Sequence, residues 1–233
     1  IYLIAFEKDP EALFEYKHID SECKKIDLPV GKVVCVGRNY LQHIKELDND
    51  VRSTPLLFNK PSTALVPLNS PIVIPKNLGP CHNELEVAVL IKTRLCQTSI
   101  KDAEAAIWGV GLGLDLTLRE VQNTLKKQGH PWERAKAFGC SCPMSQFIAK
   151  EQLDNLSNID FSLSVNNELR QQGNSQEMLF PILKLLVNIS NTFTLLPGDI
   201  VMTGTPKGVA ALLVDDHITI ELNGHFSIRT YVV

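Results

Sequence analysis

His82-Asn83-Glu84-Leu85-Glu86-Val87-Ala88-Val89-Leu90-Ile91 alternates residue by residue, with Leu85, Val87 and Val89 on one side and Glu84, Glu86 and Ala88 on the other. A period of two marks a β-strand, because successive side chains leave opposite faces of the pleat. Val33-Val34-Cys35-Val36, closed by Gly37, reads as a buried strand and a turn, and residues 111–116 read as a further strand. Hairpins are expected around Asn166-Asn167, and at Asn223-Gly224 between Ile218/Ile220 and Phe226/Ile228. Helical spacing is scarcer. Thr117 and Glu120 have capping-box spacing, so a helix is expected to open at Thr117 and to stop at Gly129-His130-Pro131. A second helix is expected over about 178–194, where Leu179, Ile182, Leu183, Leu186, Ile189 and Phe193 recur at helical spacing. Pro197-Gly198-Asp199 then turns the chain into Ile200-Val201-Met202-Thr203. Strands outnumber helices without strict βα alternation, which places the chain in the α+β class.

The 233 residues are long enough to bury a sizeable core, and 26 acidic against 23 basic side chains leave no electrostatic footprint for nucleic acid. Ile1-Tyr2-Leu3-Ile4-Ala5-Phe6 is apolar but stops at Glu7-Lys8-Asp9-Pro10, too short for a signal or spanning segment, so no membrane partner is expected. Six cysteines without a C-x-x-C pair read as buried free thiols in a reducing compartment, with the cytoplasm as the default. Residues 1–30 read as a short lead-in segment.

Glu84 and Glu86 leave the same face of the expected strand, and His82 shares it by period. Two adjacent carboxylates repel, and a divalent cation resolves the repulsion. Oxygen ligands favour Mg²⁺, Mn²⁺ or Ca²⁺ over Zn²⁺. By themselves the two glutamates read more simply as a solvated strand face. Asp115 adds the third acid: it follows the apolar run Val110-Gly111-Leu112-Gly113-Leu114, where an unpaired carboxylate has no structural use. Three acids around one cation leave room to grip a 2-oxo acid or β-dicarbonyl through two oxygens and to stabilise its enolate.

His43 and Glu46, three apart, share a face if they lie on a helical turn, and a carboxylate on one ring nitrogen makes the other a stronger base. An exposed pair without a role has the same spacing. Arg119 and Gln122 are also three apart and could face Asp115, while Lys136 is flanked by Ala135, Ala137 and Phe138, unlike an ordinary surface lysine. Either cation could pair with a substrate carboxylate or be plain surface charge. Thr203-Gly204-Thr205-Pro206-Lys207-Gly208 lacks the order of a P-loop; it is a tight turn or a contact for an anion at Thr205.

Taken together, these segments resemble the fumarylacetoacetate hydrolase family. Val36-Gly37-Arg38-Asn39-Tyr40 followed by His43 and Glu46 is similar to its V-G-x-N-Y-x-x-H-x-x-E opening, Lys60-Pro61-Ser62 to its K-P-S segment, and His82-Asn83-Glu84-Leu85-Glu86 to its H-x-E-x-E motif. Asp115 to Arg119 with Gln122, Pro131-Trp132, Ala135-Lys136 and the Thr203–Pro206 turn continue the match over roughly 30–232. The resemblance implies a β-rich mixed-sheet roll of the family's C-terminal type over residues 31–233, usually as a homodimer. It implies Mg²⁺ or Mn²⁺ (or Ca²⁺) on Glu84, Glu86 and Asp115, a His43–Glu46 base dyad on a mobile lid, and Lys136 stabilising negative charge. Arg38, Lys60, Arg119, Gln122 and Thr205 would contact a small 2-oxo acid substrate. The implied activity is acylpyruvate C–C hydrolysis, oxaloacetate enol–keto tautomerisation, or both. Oxaloacetate decarboxylation and 2-hydroxyhepta-2,4-diene-1,7-dioate isomerisation are alternatives, and a non-catalytic metal- or carboxylate-binding module is the rival from another class. Asn83 and Ala210 depart from the pattern, where His and Gly are common, which bears on substrate preference.

Overall fold

Residues 15–46 and 53–233 are described by the computed structural model. In chain order the first elements are β1 (Val33–Gly37), α1 (Leu41–Glu46), β2 (Leu56–Lys60), β3 (Leu65–Pro67), β4 (Cys81–His82) and β5 (Leu85–Ile91). Next come α2 (Ile100–Ala105), β6 (Ile107–Leu114), β7 (Thr117–Leu118), α3 (Arg119–Gln128), α4 (Glu133–Lys136), β8 (Cys142–Met144) and β9 (Ile148–Ala149). The last are β10 (Asp160–Val165), β11 (Glu168–Asn174), α5 (Ile182–Ser190), β12 (Ile200–Met202), β13 (His217–Leu222) and β14 (Phe226–Tyr231). One sheet runs β2-β1-β12-β5-β6-β8-β3, with β9 also on β6. It is mixed: β1–β12 and β3–β8 are parallel, the other pairs antiparallel. A second sheet, β11-β10-β13-β14, is antiparallel throughout. The expected strand-rich α+β architecture is the one observed.

β5 is covered on both faces, and each face does something different. Leu85, Val87, Val89 and Ile91 join the larger core, with Phe161, Leu163, Ile218 and Ile220 of the second sheet and Leu185, Leu186 and Ile189 of α5. Burying each such side chain contributes about 1.5–3 kcal/mol. Ala88 and Leu90 point the other way, into a smaller core with Val33, Cys35, Phe147, Ile200 and Met202. Glu86 lies on that second face and is buried, so the solvated-face reading of the two glutamates fails.

Several boundaries differ from the sequence expectation. The strand expected at 111–116 begins four residues earlier and ends at Leu114. Its glycines 109, 111 and 113 admit the crossing segment 144–149; a Cβ at Gly109 would stand 2.0 Å from the Ile148 carbonyl oxygen. Thr117 does not cap a helix. It pairs with His82 in β7–β4 and donates its hydroxyl to the Asp115 carbonyl at 2.9 Å, and α3 starts at Arg119. Gly129 does end α3, in the left-handed region at φ 68°. The helix expected over 178–194 is confined to Ile182–Ser190, because Pro181 precedes it in extended conformation at ψ 151°.

Of the lead-in, residues 1–14 lie outside the described residues, whereas Tyr16 and Ile26 join the smaller core. Among the described residues no helix is long and apolar enough to cross a membrane. All six cysteines are free; Cys35, Cys81, Cys140 and Cys142 are buried as expected, but Cys23 and Cys96 are exposed.

Candidate active site

Glu84 and Asp115 are cross-strand neighbours. Leu85 pairs with Leu114, and the Asp115 N–H donates to the Glu84 carbonyl at 2.8 Å, extending the β5–β6 ladder one step past both strands. Opposed residues of an antiparallel pair share a face, and Glu86 lies two positions along it. Each of Glu84, Glu86 and Asp115 offers a carboxylate oxygen within 4.8 Å of the others, and all three are buried.

Buried anions need counter-charge, and two lysines and an arginine bring it. Lys136, at the end of α4 and 2% exposed, donates to Glu84 Oε2 at 2.6 Å and Asp115 Oδ2 at 2.5 Å. Arg119 Nη2 pairs with Glu84 Oε1 while its Nη1 donates to Gln122 Oε1 at 2.7 Å. Lys60 Nζ lies 2.9 Å from Asp115 Oδ1 and donates to the Ser141 carbonyl and hydroxyl, each at 3.0 Å. Burial opposes the charge on Glu84, but Lys136 and Arg119 outweigh it and hold the carboxyl far below its ordinary range. Burial likewise opposes the Lys136 ammonium, and Asp115 and Glu84 more than compensate, raising its pKa. Glu86 differs: burial, then the charges of Asp115 and Glu84, push it well above the carboxylate range. It accepts the Gly204 N–H at 2.7 Å, a backbone dipole where its neighbours have full cations.

His43 and Glu46 do share a helical turn, α1, with His43 Nδ1 3.2 Å from Glu46 Oε2. Burial lowers the His43 pKa, and the carboxylates of Glu84 and Glu46 recover part of the shift. Glu46 Oε1 accepts the Gly208 N–H at 3.0 Å, which ties the dyad to the 203–208 turn. Thr205 donates its hydroxyl to the Leu85 carbonyl at 2.9 Å and accepts from Gln171 Nε2 at 2.8 Å. Gln171 also accepts from Asn83 Nδ2 at 2.7 Å and the Leu85 N–H at 2.9 Å, so one buried amide from β11 braces both sides of the acid cluster.

One cavity is lined by Glu84, Glu86, Asp115, His43, Lys136, Arg38, Arg119, Gln122 and Thr205 together. One expected substrate contact does not line this cavity. Lys60 is fully buried, committed to Asp115 and the 136–141 backbone, and does not line the cavity. Glu46 stands behind His43, on the ring nitrogen where the expected dyad puts it. His82 is not among the clustered acids. Lys126 and Trp132 also line the cavity. Lys126 lies seven residues after Arg119 and four after Gln122 on one helix, a spacing that carried the signal; Gln171, on another sheet, had none. A larger groove of about 540 Å³ near Leu153 and Leu183 gathers none of these groups.

The donor set fits a hard divalent cation: three buried carboxylates, oxygen only, with Glu86 raised by burial and by the charges of Asp115 and Glu84. A model of the fumarylacetoacetate (FAA) hydrolase C-terminal region matches residues 32–233. Oxaloacetate tautomerase YcgM of Escherichia coli K12 is 48% identical over 219 residues, 94% of this chain and 100% of that protein. A fumarylacetoacetate hydrolase family protein from Yersinia pestis superposes with a TM-score of 0.92 at 48% identity, covering 94% of this chain and 100% of that one. Fumarylpyruvate hydrolase from Pseudomonas aeruginosa, in complex with Mn²⁺ and pyruvate, matches at TM-score 0.86 and 32% identity over 93% and 94% of the two chains.

Proposed function

The chain belongs to the fumarylacetoacetate hydrolase family, and from that premise we propose that it is a divalent-metal-dependent enzyme whose reaction is the enol–keto tautomerisation of oxaloacetate. The observation that carries this reading is the meeting of Glu84, Glu86 and Asp115 with His43 in one cavity. Mg²⁺ or Mn²⁺ held by the three acids would supply Lewis-acid stabilisation of charge developing on the 2-oxo acid's oxygens.

A carboxylate can only accept, so with Glu46 on Nδ1 the hydrogen of neutral His43 sits there and Nε2 carries the lone pair. Because burial lowers its pKa, His43 is neutral at pH 7 and ready to take a proton. In ketonisation the enol hydroxyl loses its proton and C3 gains one, so no atom is added or lost overall. His43 is the group that moves that proton. Lys136 places an ammonium beside the oxygen that carries charge in between. Arg119 and Gln122, locked to each other, orient a substrate carboxylate.

A second reading is C–C hydrolysis of an acylpyruvate, with His43 activating water instead; the likeness to fumarylpyruvate hydrolase favours it. Decay of enol-oxaloacetate absorbance and hydrolysis of acetylpyruvate, each with Mg²⁺ and with EDTA, separate the two. Metal-dependent enol decay alone supports the tautomerase, hydrolysis alone the second reading, and neither signal overturns both. Further, we propose that the protein works in the cytoplasm as a homodimer. Six free thiols support a reducing compartment, and Leu213 and Val214, 65% and 56% exposed, offer apolar surface for a second copy; sedimentation tests the dimer.

A further inference from the structure

Lys60 and Lys136 both pair with Asp115, and each has a phenylalanine two residues away in the chain, Phe58 in β2 and Phe138 just past α4. The contacts are crossed. Lys136 Nζ lies over the Phe58 ring, 5.1 Å from its centroid, and Lys60 Nζ lies over the Phe138 ring at 5.9 Å. An ammonium within about 6 Å of a ring centroid is drawn to the negative face of the aromatic, most strongly where water is excluded. Lys136 is 2% exposed, and Phe58 is buried beside it while also lining the cavity. Trp132 packs against Phe58 with ring centroids 6.0 Å apart, and its carbonyl accepts the Lys136 N–H at 3.0 Å. One turn therefore carries both the ammonium and the indole that braces the ring. Lys136 Nζ donates to Glu84 and Asp115, carboxylates that would also hold a divalent cation. A dication there repels the ammonium and offsets the pull of both acids on it. The Phe58 ring is uncharged and is no metal ligand, so its attraction for Lys136 survives loading. Filling the smaller core, to which Phe58 also belongs, needs only an apolar side chain; holding an ammonium needs an aromatic face.

We propose that Phe58 is a positioning residue, whose ring face keeps the Lys136 ammonium at the reacting oxygen whether or not the acids hold a metal. The inference rests on the reading of the cavity as a metal-dependent 2-oxo acid centre with Lys136 at the developing charge. Full-length protein carrying mono-, di- or trifluorophenylalanine at position 58 tests it, because fluorine drains the negative ring face while nearly keeping the ring's size. The kcat of enol decay should fall with each fluorine, to about tenfold below wild type for the trifluoro ring. KM, Mn²⁺ affinity and Tm should stay at their wild-type values. A flat kcat, or a loss of kcat matched by losses of Tm and Mn²⁺ binding, reduces Phe58 to a packing residue and overturns the proposal. NMR of ¹³C-lysine-labelled protein gives a readout without turnover. The ε-methylene protons of Lys136, assigned by their absence in Lys136→Met, should resonate upfield of an exposed lysine with and without Mg²⁺, and should lose that shift in Phe58→Leu. An ordinary Lys136 resonance in the Mg²⁺-loaded protein also overturns the proposal. An upfield resonance in a protein that does not turn over enol-oxaloacetate would instead overturn the reading of the site.

Discussion

His43 and Glu86 stand in the same cavity with separable duties, and single substitutions should divide them. His43→Ala removes the proposed proton carrier but none of the clustered acids, so turnover should fall by about 10²–10⁴-fold with Mn²⁺ affinity intact. Glu86→Gln keeps an oxygen for the Gly204 N–H and removes a ligand charge, so Mn²⁺ affinity should drop at least about tenfold. Titration calorimetry alongside the enol assay checks both; loss of Mn²⁺ binding in His43→Ala would reassign that residue. Gln171→Leu strands the Asn83 amide and the Leu85 N–H away from water, at about 1–3 kcal/mol each. A lowered melting temperature and weaker Mn²⁺ binding should appear together, and a wild-type Tm would remove Gln171 from the bracing role. The acids were legible because a carboxylate following an apolar run has no other use. The burial of Lys60 against Asp115 was not legible because K-P-S carries no information about which way its lysine points, and Gln171 was silent because its partners come from another sheet.

At the scale of elements, signals that are local in the chain survived and those that compete with tertiary pairing did not. The Asn166-Asn167 hairpin formed as expected, its two turn residues at φ 53° and 67° matching the twist of β10 and β11. Thr117 and Glu120 had the spacing of a capping box, but pairing with β4 claimed Thr117. The 203–208 turn is the element through which the dyad and the acids meet, since its Gly204 N–H holds Glu86 and its Gly208 N–H holds Glu46. Gly208 sits at φ 96°, and a Cβ there would stand 1.9 Å from the Arg170 carbonyl oxygen. Gly208→Ala should therefore cost about 1–3 kcal/mol, visible as a lower Tm, and should depress kcat through the displaced Glu46 contact. A variant that melts and turns over like wild type would deny the turn this linking role.

Across the whole molecule, strand content was readable while sheet order was not, because β1 reaches β12 across most of the chain and no local pattern encodes that pairing. The same long closure, where the Gly31 N–H donates to the Gly198 carbonyl, buries His18 between segments far apart in the chain. Its Nε2 lies 3.1 Å from the carbonyls of both Pro29 and Gly198, which fixes the hydrogen on that nitrogen, and Tyr16 donates to Nδ1 at 3.1 Å. Burial lowers the His18 pKa from 6.5, and the two carbonyls recover only part of the shift. Below pH 6.5 the unfolded chain then binds the proton more readily than the folded one, so stability present above that pH is lost as pH falls toward the folded value. Glu86 acts in the opposite sense, since its raised folded pKa favours the native state on acidification. Wild type alone would mix the two. His18→Gln supplies an uncharged donor near the Nε2 position and leaves Glu86 in place, so the difference between the two melting curves isolates the histidine. Between pH 7 and 5.5 the wild-type Tm should fall relative to that of the variant, and curves that stay parallel would show that His18 does not carry the acid sensitivity of the fold.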